Sequence, residues 1–294
     1  MQKTKAKFCD RSYVSWNLDC VVPNDVHEIM QKMAELKKGA KELYTNLYLD
    51  NKKIVGWIEK GTLLYWTNEI HFCLFHKREE YIQVYFLSKD LISFEIFLTE
   101  KFAGVQESFV FDLIYFEKAI KAQQLRDVFK RAGVQHHIKM MRMMRVNKSG
   151  SPAKVGMLDF ADVEDSNEIW EILHNFDPVD AQIPDLDEIE TAAANKDIIV
   201  SRADGKIAAF FWTEHQGKTA FFRYWITRPE YRDAGTHGYF VYNQTLKREA
   251  SAQRMILWVR EDNANVIKIH QLKGFRFDGL VDDVFFKKGR GADD

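Results

Sequence analysis

The strongest constraint on this chain lies between Ala220 and Phe275. An aromatic, strand-like run, Ala220-Phe-Phe-Arg-Tyr-Trp-Ile-Thr227, leads into the turn Arg228-Pro-Glu-Tyr-Arg-Asp-Ala-Gly-Thr-His-Gly238. A helical pattern follows over 236–250, with Tyr239, Tyr242, Leu246 and Ala250 at helical spacing. Such a turn suits an anion. The first N–H groups of a helix lack intrahelical partners, the dipole puts roughly +0.5 charge there, and glycine lets the backbone approach without a Cβ. The same pattern also describes an ordinary tight turn. A second segment narrows the choice. Residues 255–259, Met-Ile-Leu-Trp-Val, read as a buried strand. Beyond it Asn263, Ile267 and His270 fall on one face of a helix, Gly274 suits the position after the helix end, and Phe275 packs behind it.

Together these segments resemble the GNAT superfamily of acyl-CoA-dependent N-acyltransferases, the GCN5-related N-acetyltransferases. The family's pyrophosphate loop, Arg/Gln-x-x-Gly-x-Gly/Ala after Pro-Glu-Tyr, is matched by Pro229, Glu230, Tyr231, Arg232 and Gly235. Its later pattern, Asn-x-x-Ala-Ile-x-Leu-Tyr-x-x-x-Gly-Phe, is matched by Asn263, Ile267, Ile269, Gly274 and Phe275. His237 stands where the family has Gly or Ala, and His270 where it often has Tyr.

The resemblance implies an α+β fold, a mixed and mostly antiparallel twisted sheet flanked by helices, with a central strand splayed from its neighbour. It implies acetyl-CoA or another acyl-CoA as donor, and no metal. Trp225, Ile226 and Thr227 would line the pantetheine arm. Arg232, Asp233, Ala234, Gly235, Thr236, His237 and Gly238 would cradle the pyrophosphate, with Asn263, Ile267 and His270 alongside. The N–H of Ile226 is the expected oxyanion donor. His270 is the expected proton donor to the leaving thiolate, since an imidazole of pKa ~6.5 is partly protonated near neutrality. A helix histidine touching solvent or a loop carbonyl fits that position too. His237 either adds a donor to the pyrophosphate, crowds it, or contributes its backbone N–H alone. The organising strand carries no carboxylate, so the general base falls to Glu214 or His215 at the end of the preceding strand, unless both are exposed loop residues. Arg223 and Tyr224 are expected on opposite faces. Asp177, Asp180, Asp185 and Asp187 read as a solvated acidic loop rather than a cation site.

At 294 residues the whole chain is long enough for one large or two ordinary domains, each able to bury a core. The net charge of −1 provides no long-range field for nucleic acid or an anionic membrane. No apolar run reaches the ~18 residues of a membrane span, and no signal-peptide core follows the Lys-rich start. Cys9, Cys20 and Cys73 lack metal spacing and read as reduced thiols of a cytoplasmic protein. Asn24 or Asp25 caps a first helix with Val26, Ile29, Met30 and Met33 on its face and Gly39 after its end. Strand-like runs follow at 53–59, 69–76, 81–87, 93–98 and 109–116, then a helix over 117–131, Gly133, and a strand over 137–146 whose methionines read as adaptable packing. The polar stretch 147–152 reads as a linker dividing domains 1–147 and 152–294. Helices over 164–175 and 187–195 and a hairpin over 198–215 complete the second half.

Both halves end in strand, helix, Gly, strand, which predicts a tandem pair. The first copy is degenerate: Gly104 stands there without an Arg-x-x-Gly. The expected function is N-acyl transfer, chiefly acetyl transfer, from acyl-CoA to a small-molecule or protein amine by direct attack in a ternary complex, in a monomer or homodimer. A non-catalytic CoA-binding or ligand-sensing module is one alternative. An aminoacyl transferase using charged transfer RNA is the other; the intact cradle and the lack of a basic excess argue against it.

Overall fold

A computed structural model describes residues 18–48, 51–147, 158–232 and 235–290. Cys9, Asp233, Ala234 and most of the expected linker lie outside the described residues. The chain divides into two compact units. The first is Met1–Lys139 with Leu280–Asp294, and the second is Met140–Gly279. The contiguous halves 1–147 and 152–294 are therefore not the units: each unit closes with a strand from the far end of the other's segment.

In chain order the first unit holds α1 (Val26–Lys37), β1 (Tyr44–Thr45), α2 (Asn51–Glu59), β2 (Leu63–Thr67), β3 (His71–Lys77), β4 (Ile82–Ser88), α3 (Leu91–Lys101), β5 (Phe109–Phe116) and α4 (Ile120–Arg131). It also takes the start of β6 (Gln135–Val146) and, from position 280, most of β11 (Arg276–Lys287). The runs at 53–59 and 93–98 are helices, not strands. Ile54, Trp57 and Ile58 pack one core at spacings of a helix turn, and Phe94, Phe97 and Leu98 do the same in another. Their aromatic and β-branched content imitates a strand. For α3 the deciding cue is local: the Asp90 carboxylate accepts from Ser93 N at 2.7 Å and starts the helix.

Strands β2, β3 and β4 form an antiparallel meander. β4 and β5 are parallel and pair only at Ile82↔Phe109 and Gln83↔Val110. β5 pairs antiparallel with β11 from Leu280↔Phe116 to Lys287↔Phe109. One side of this sheet carries an aromatic core that includes Phe86, Phe94, Phe111, Phe129 and Phe285; the other carries Ile29, Met33, Leu36, Ile54, Phe72 and Leu74. Asp283 of β11 is 2 % exposed, and Arg126 Nε lies 2.6 Å and His136 Nε2 3.1 Å from its carboxylate. The closing strand is thus held by packing and by buried polar bonds.

The second unit holds the rest of β6, then α5 (Ser166–Leu173), α6 (Pro178–Ala181), α7 (Leu186–Ala194), β7 (Ile198–Ala203), β8 (Lys206–Gln216), β9 (Thr219–Thr227), α8 (Thr236–Arg248), β10 (Arg254–Arg260), α9 (Ala264–Leu272) and the first residues of β11. Strands β7, β8 and β9 are antiparallel, β9 and β10 parallel, and β10 pairs antiparallel with β6 from Arg254↔Val146 to Arg260↔Met140. Phe211, Phe222, Tyr242, Met255 and Phe275 fill the core on the α8 side. Ile169, Leu173, Ile189, Phe210 and Trp212 fill the core on the α5–α7 side.

Candidate functional site

The site in the second unit begins where a ladder stops. β9 and β10 pair from Thr219↔Arg254 to Phe222↔Leu257, yet β9 runs on to Thr227 and β10 to Arg260. Beyond Phe222 the two strands separate and leave backbone groups facing a gap. A bulge marks the point: Trp212 pairs with Tyr224 and Thr213 with Phe222, so Arg223 is the additional residue. The bulge overturns the expected alternation of Arg223 and Tyr224. The Arg223 guanidinium lies over both Trp212 and Tyr224 rings, at 4.7 and 5.4 Å, on the α5–α7 face.

Hydrogen-bond direction follows from the ladder. Arg228 N donates to Ala208 O at 3.0 Å, and Ile226 is opposite Phe210. Because N–H groups alternate along an antiparallel strand, Ile226 directs its N–H to β8, whereas Trp225 and Thr227 direct theirs to the gap. The expected donor Ile226 therefore gives way to its two neighbours.

At the end of β9 the chain turns through Pro229–Tyr231 into α8. Gly235, the residue before the helix, has φ 61° and no side chain with which to cap it. Asp25, Asp90, Asp177 and Asn263 do cap α1, α3, α6 and α9. At α8 the capping residue itself brings no carboxylate, which suits an anion. Gly238 has a different reason: a Cβ there would lie 2.4 Å from Thr227 Oγ1, so glycine permits α8 to sit close on β9. Trp225 Nε1 donates to Gly238 O at 2.9 Å across the same contact. The exposed Arg232 folds its Nε onto Thr227 O at 3.1 Å. His237 Nδ1 lies 2.8 Å from Ser201 Oγ, and its ring packs beside Tyr231. The side chain is tethered to β7, leaving the backbone N–H as its contribution at the helix end.

His270 is 5 % exposed, with Nδ1 2.8 Å from the hydroxyl of Tyr242, which is fully buried. Rings of Trp225, Tyr242 and Phe275 surround it. Burial pushes its pKa down to about 4. The imidazole is therefore neutral near pH 7, contrary to the partly protonated acid expected from its position. When Nδ1 accepts the Tyr242 proton, Nε2 carries the N–H. Tyr242 is the residue the sequence did not reveal, because a pair 28 positions apart on two helices leaves no local signal.

Asn263 is a helix cap, accepting from Val266 N at 3.3 Å, and Ile267 packs against the α8-side core. Glu214 is ion-paired with Arg223. His215 sits 2.8 Å from Glu249 and 3.7 Å from Asp197, and bonding to Asp197 and then Glu249 raises it to about 9. A histidine held protonated by two carboxylates does not suit a general base. In the acidic loop Asp177 caps α6, Asp185 joins a capping box with Glu188, and Asp180 pairs with Arg260. Burial raises the thiols of Cys20, to about 12, and Cys73, so neither is a ready nucleophile.

The architecture has counterparts among solved structures. A GCN5-related N-acetyltransferase from Sphaerobacter thermophilus matches with TM-score 0.58 at 10 % identity, over 91 % of this chain and 94 % of that one. The tandem GNAT protein from the clavulanic acid biosynthesis pathway matches with TM-score 0.53 at 11 % identity, over 91 % and 97 % of the two chains. The fold is that of the tandem GNAT acetyltransferases. A GNAT-family acetyltransferase from Colwellia psychrerythraea agrees, with TM-score 0.50 at 12 % identity over 92 % and 99 %. No family model and no curated protein matches the sequence. Among the described residues no helix is long and apolar enough to cross a membrane. Each unit here contains one parallel pair that separates after a short ladder: β4–β5 in the first and β9–β10 in the second.

Proposed function

We propose that the second GNAT unit is an acyl-CoA-dependent N-acyltransferase, moving an acetyl group in particular to an amine. The observation that carries the reading is the separation of β9 from β10 after Phe222↔Leu257, ending at a helix whose capping residue is Gly235. The N–H groups of Trp225 and Thr227 face the gap and suit the amides of a pantetheine arm. The first-turn backbone of α8 with Gly235 and Arg232 suits the pyrophosphate. Acyl-CoA supplies a thioester to which an amine nitrogen can add. Negative charge then develops on the carbonyl oxygen, and a fixed N–H aimed into the gap stabilises it without reorganisation. His270 acts as a neutral N–H donor toward the departing sulfur, oriented by Tyr242. The amine's proton passes to solvent, since Glu214 and His215 are engaged elsewhere.

The reading is tested by mixing the protein with acetyl-CoA and a panel of small and peptidyl amines and following free thiol. Release that depends on the amine supports it. CoA binding without release would favour the sensing module, a reading consistent with the engaged Glu214 and the buried His270. Product formed only when charged transfer RNA is added would replace it with the aminoacyl-transfer reading.

A further inference from the structure

The corresponding gap in the first unit is filled by the chain itself. β3 pairs with β4 along its whole length, from His71↔Ser88 to Lys77↔Ile82. A strand has two edges, so β1, which pairs with β4 at Tyr44↔Ser88 and Thr45↔Leu87, lies on the β5 edge, past the last β4–β5 pair at Gln83↔Val110. Asn46 completes the insertion. Its Nδ2 donates to Val84 O at 2.8 Å, its Oδ1 accepts from Phe86 N at 2.6 Å, and its own N–H donates to Phe86 O at 3.3 Å. Thr45 Oγ1 adds a bond to Phe86 O at 2.6 Å. Asn46 is 3 % exposed although its side chain is polar and sits in a loop between two helices. Its carboxamide offers the splayed strand one acceptor and one donor, the same pair that a secondary amide of a pantetheine arm offers.

The second unit shows the alternative. Trp225 lies as far past Phe222 as Phe86 lies past Gln83, and the ladder partners of β9 are β8 and β10. The matching α5–α7 loop reaches β9 through a side chain, Tyr224 Oη donating to Gln182 O at 2.9 Å. The helix ends differ in the same sense. In the first unit Lys89 and Asp90 alone separate β4 from α3, and the Asp90 carboxylate occupies the helix N-terminus. In α8 the capping position is held instead by Gly235, which brings no carboxylate of its own.

We infer that Tyr44–Asn46 is an intramolecular occupant of a pantetheine-type slot in the first unit, and that displacing it uncovers a second site for the amide arm of such a carrier. The inference rests on reading the β9–β10 gap as the acyl-CoA slot. The carboxamide substitutes for the ligand amide, and Asp90 keeps phosphate away from the adjoining helix.

Two measurements on the full chain test it. Calorimetry compares Gly235→Val with Gly235→Val/Asn46→Pro/Asp90→Gly, using CoA and pantetheine. Gly235→Val is expected to weaken CoA binding at least ~10-fold. The triple variant is expected to recover a single equivalent of CoA and to bind pantetheine. A folded triple variant that takes up neither overturns the inference. Should the proline variant not fold, hydrogen exchange at Phe86 decides. Asn46→Ala should exchange that amide at least ~10-fold faster than the native protein. Saturating pantetheine should restore the protection, and unchanged exchange with pantetheine overturns the inference. Undiminished CoA binding by Gly235→Val would count against the cradle in the second unit, while the Phe86 readout would still judge the first.

Discussion

Two histidines in the second unit show how environment separates one side chain into opposite charge states. His270, shut among Trp225, Tyr242 and Phe275, is depressed to about 4 from 6.5. A depressed histidine makes the unfolded chain bind its proton first, so stability is lost as pH falls from about 6.5 toward 4. Acetyl transfer should accordingly show no His270 break near pH 6.5, which a pH–rate profile of native protein against His270→Phe will check. The phenylalanine also leaves the buried Tyr242 hydroxyl without its partner. That should cost about 1–3 kcal/mol by denaturant titration, besides any loss of rate. His215 behaves in reverse. Its folded pKa is raised to about 9 from 6.5, so its stabilisation is fully present below 6.5 and lost as pH rises through 9. The side chain is 38 % exposed, so screening reduces the effect. Native protein should lose ~1 kcal/mol across that window and His215→Asn should lose little. A native curve as flat as the variant's would remove the ion pairs with Asp197 and Glu249 from the account.

At the scale of elements, α8 depends on two glycines for two reasons. Gly238→Ala places a Cβ 2.4 Å from Thr227 Oγ1, so the Thr227 hydroxyl must rotate or the helix must shift away from β9. A loss of about 1–3 kcal/mol is expected, with weaker CoA binding because the helix end moves. Gly235→Val meets Tyr239 at an ordinary 3.6 Å, but φ 61° strains any branched residue. Its effect should be chiefly on CoA affinity, with stability falling by about 1–3 kcal/mol. Thermal melts and CoA titrations on both variants separate crowding from strain: equal loss of affinity without loss of stability in Gly238→Ala would refute the close helix–strand contact. The inserted segment of the first unit has its own energetic signature. Asn46→Ala strips partners from Val84 O and Phe86 N, both buried, and should cost about 2–4 kcal/mol.

For the whole molecule the exchanged closing strands set what can be cut. A fragment ending at 147 lacks residues 280–287, which pair with β5 from Phe109 to Phe116 and bring Phe285 to the aromatic core. A fragment beginning at 152 lacks residues 140–146, the antiparallel partner of β10. Neither contiguous half should show a cooperative unfolding transition by calorimetry. A fragment of 140–279 should retain one, together with CoA binding. Native-like melting of 1–147 would mean that the first unit does not need its distal strand. Native protein should take up a single equivalent of CoA, because the first unit has a filled slot and a capped helix. Two equivalents would show that Asn46 and Asp90 do not exclude it.

Local chemistry made much of the second unit legible in the sequence. Glycine next to a helix start, asparagine at a cap and apolar residues at helical or alternate spacing act over a few residues, so 220–275 declared its strand, turn, helix, strand and helix. The same reasoning failed at 53–59 and 93–98, where aromatic and branched side chains suit either state and burial on one helix face decided. Other features required partners distant in the chain. The Arg223 bulge reverses an alternation through its register with β8, Tyr242 bonds a histidine on another helix, and Asn46 enters a gap that its own neighbours do not foretell. The exchange of closing strands belongs to this class. Either strand has the composition to sit on a β edge, and it is the registers β11–β5 and β10–β6, satisfied at tertiary distance, that settle which unit each one completes.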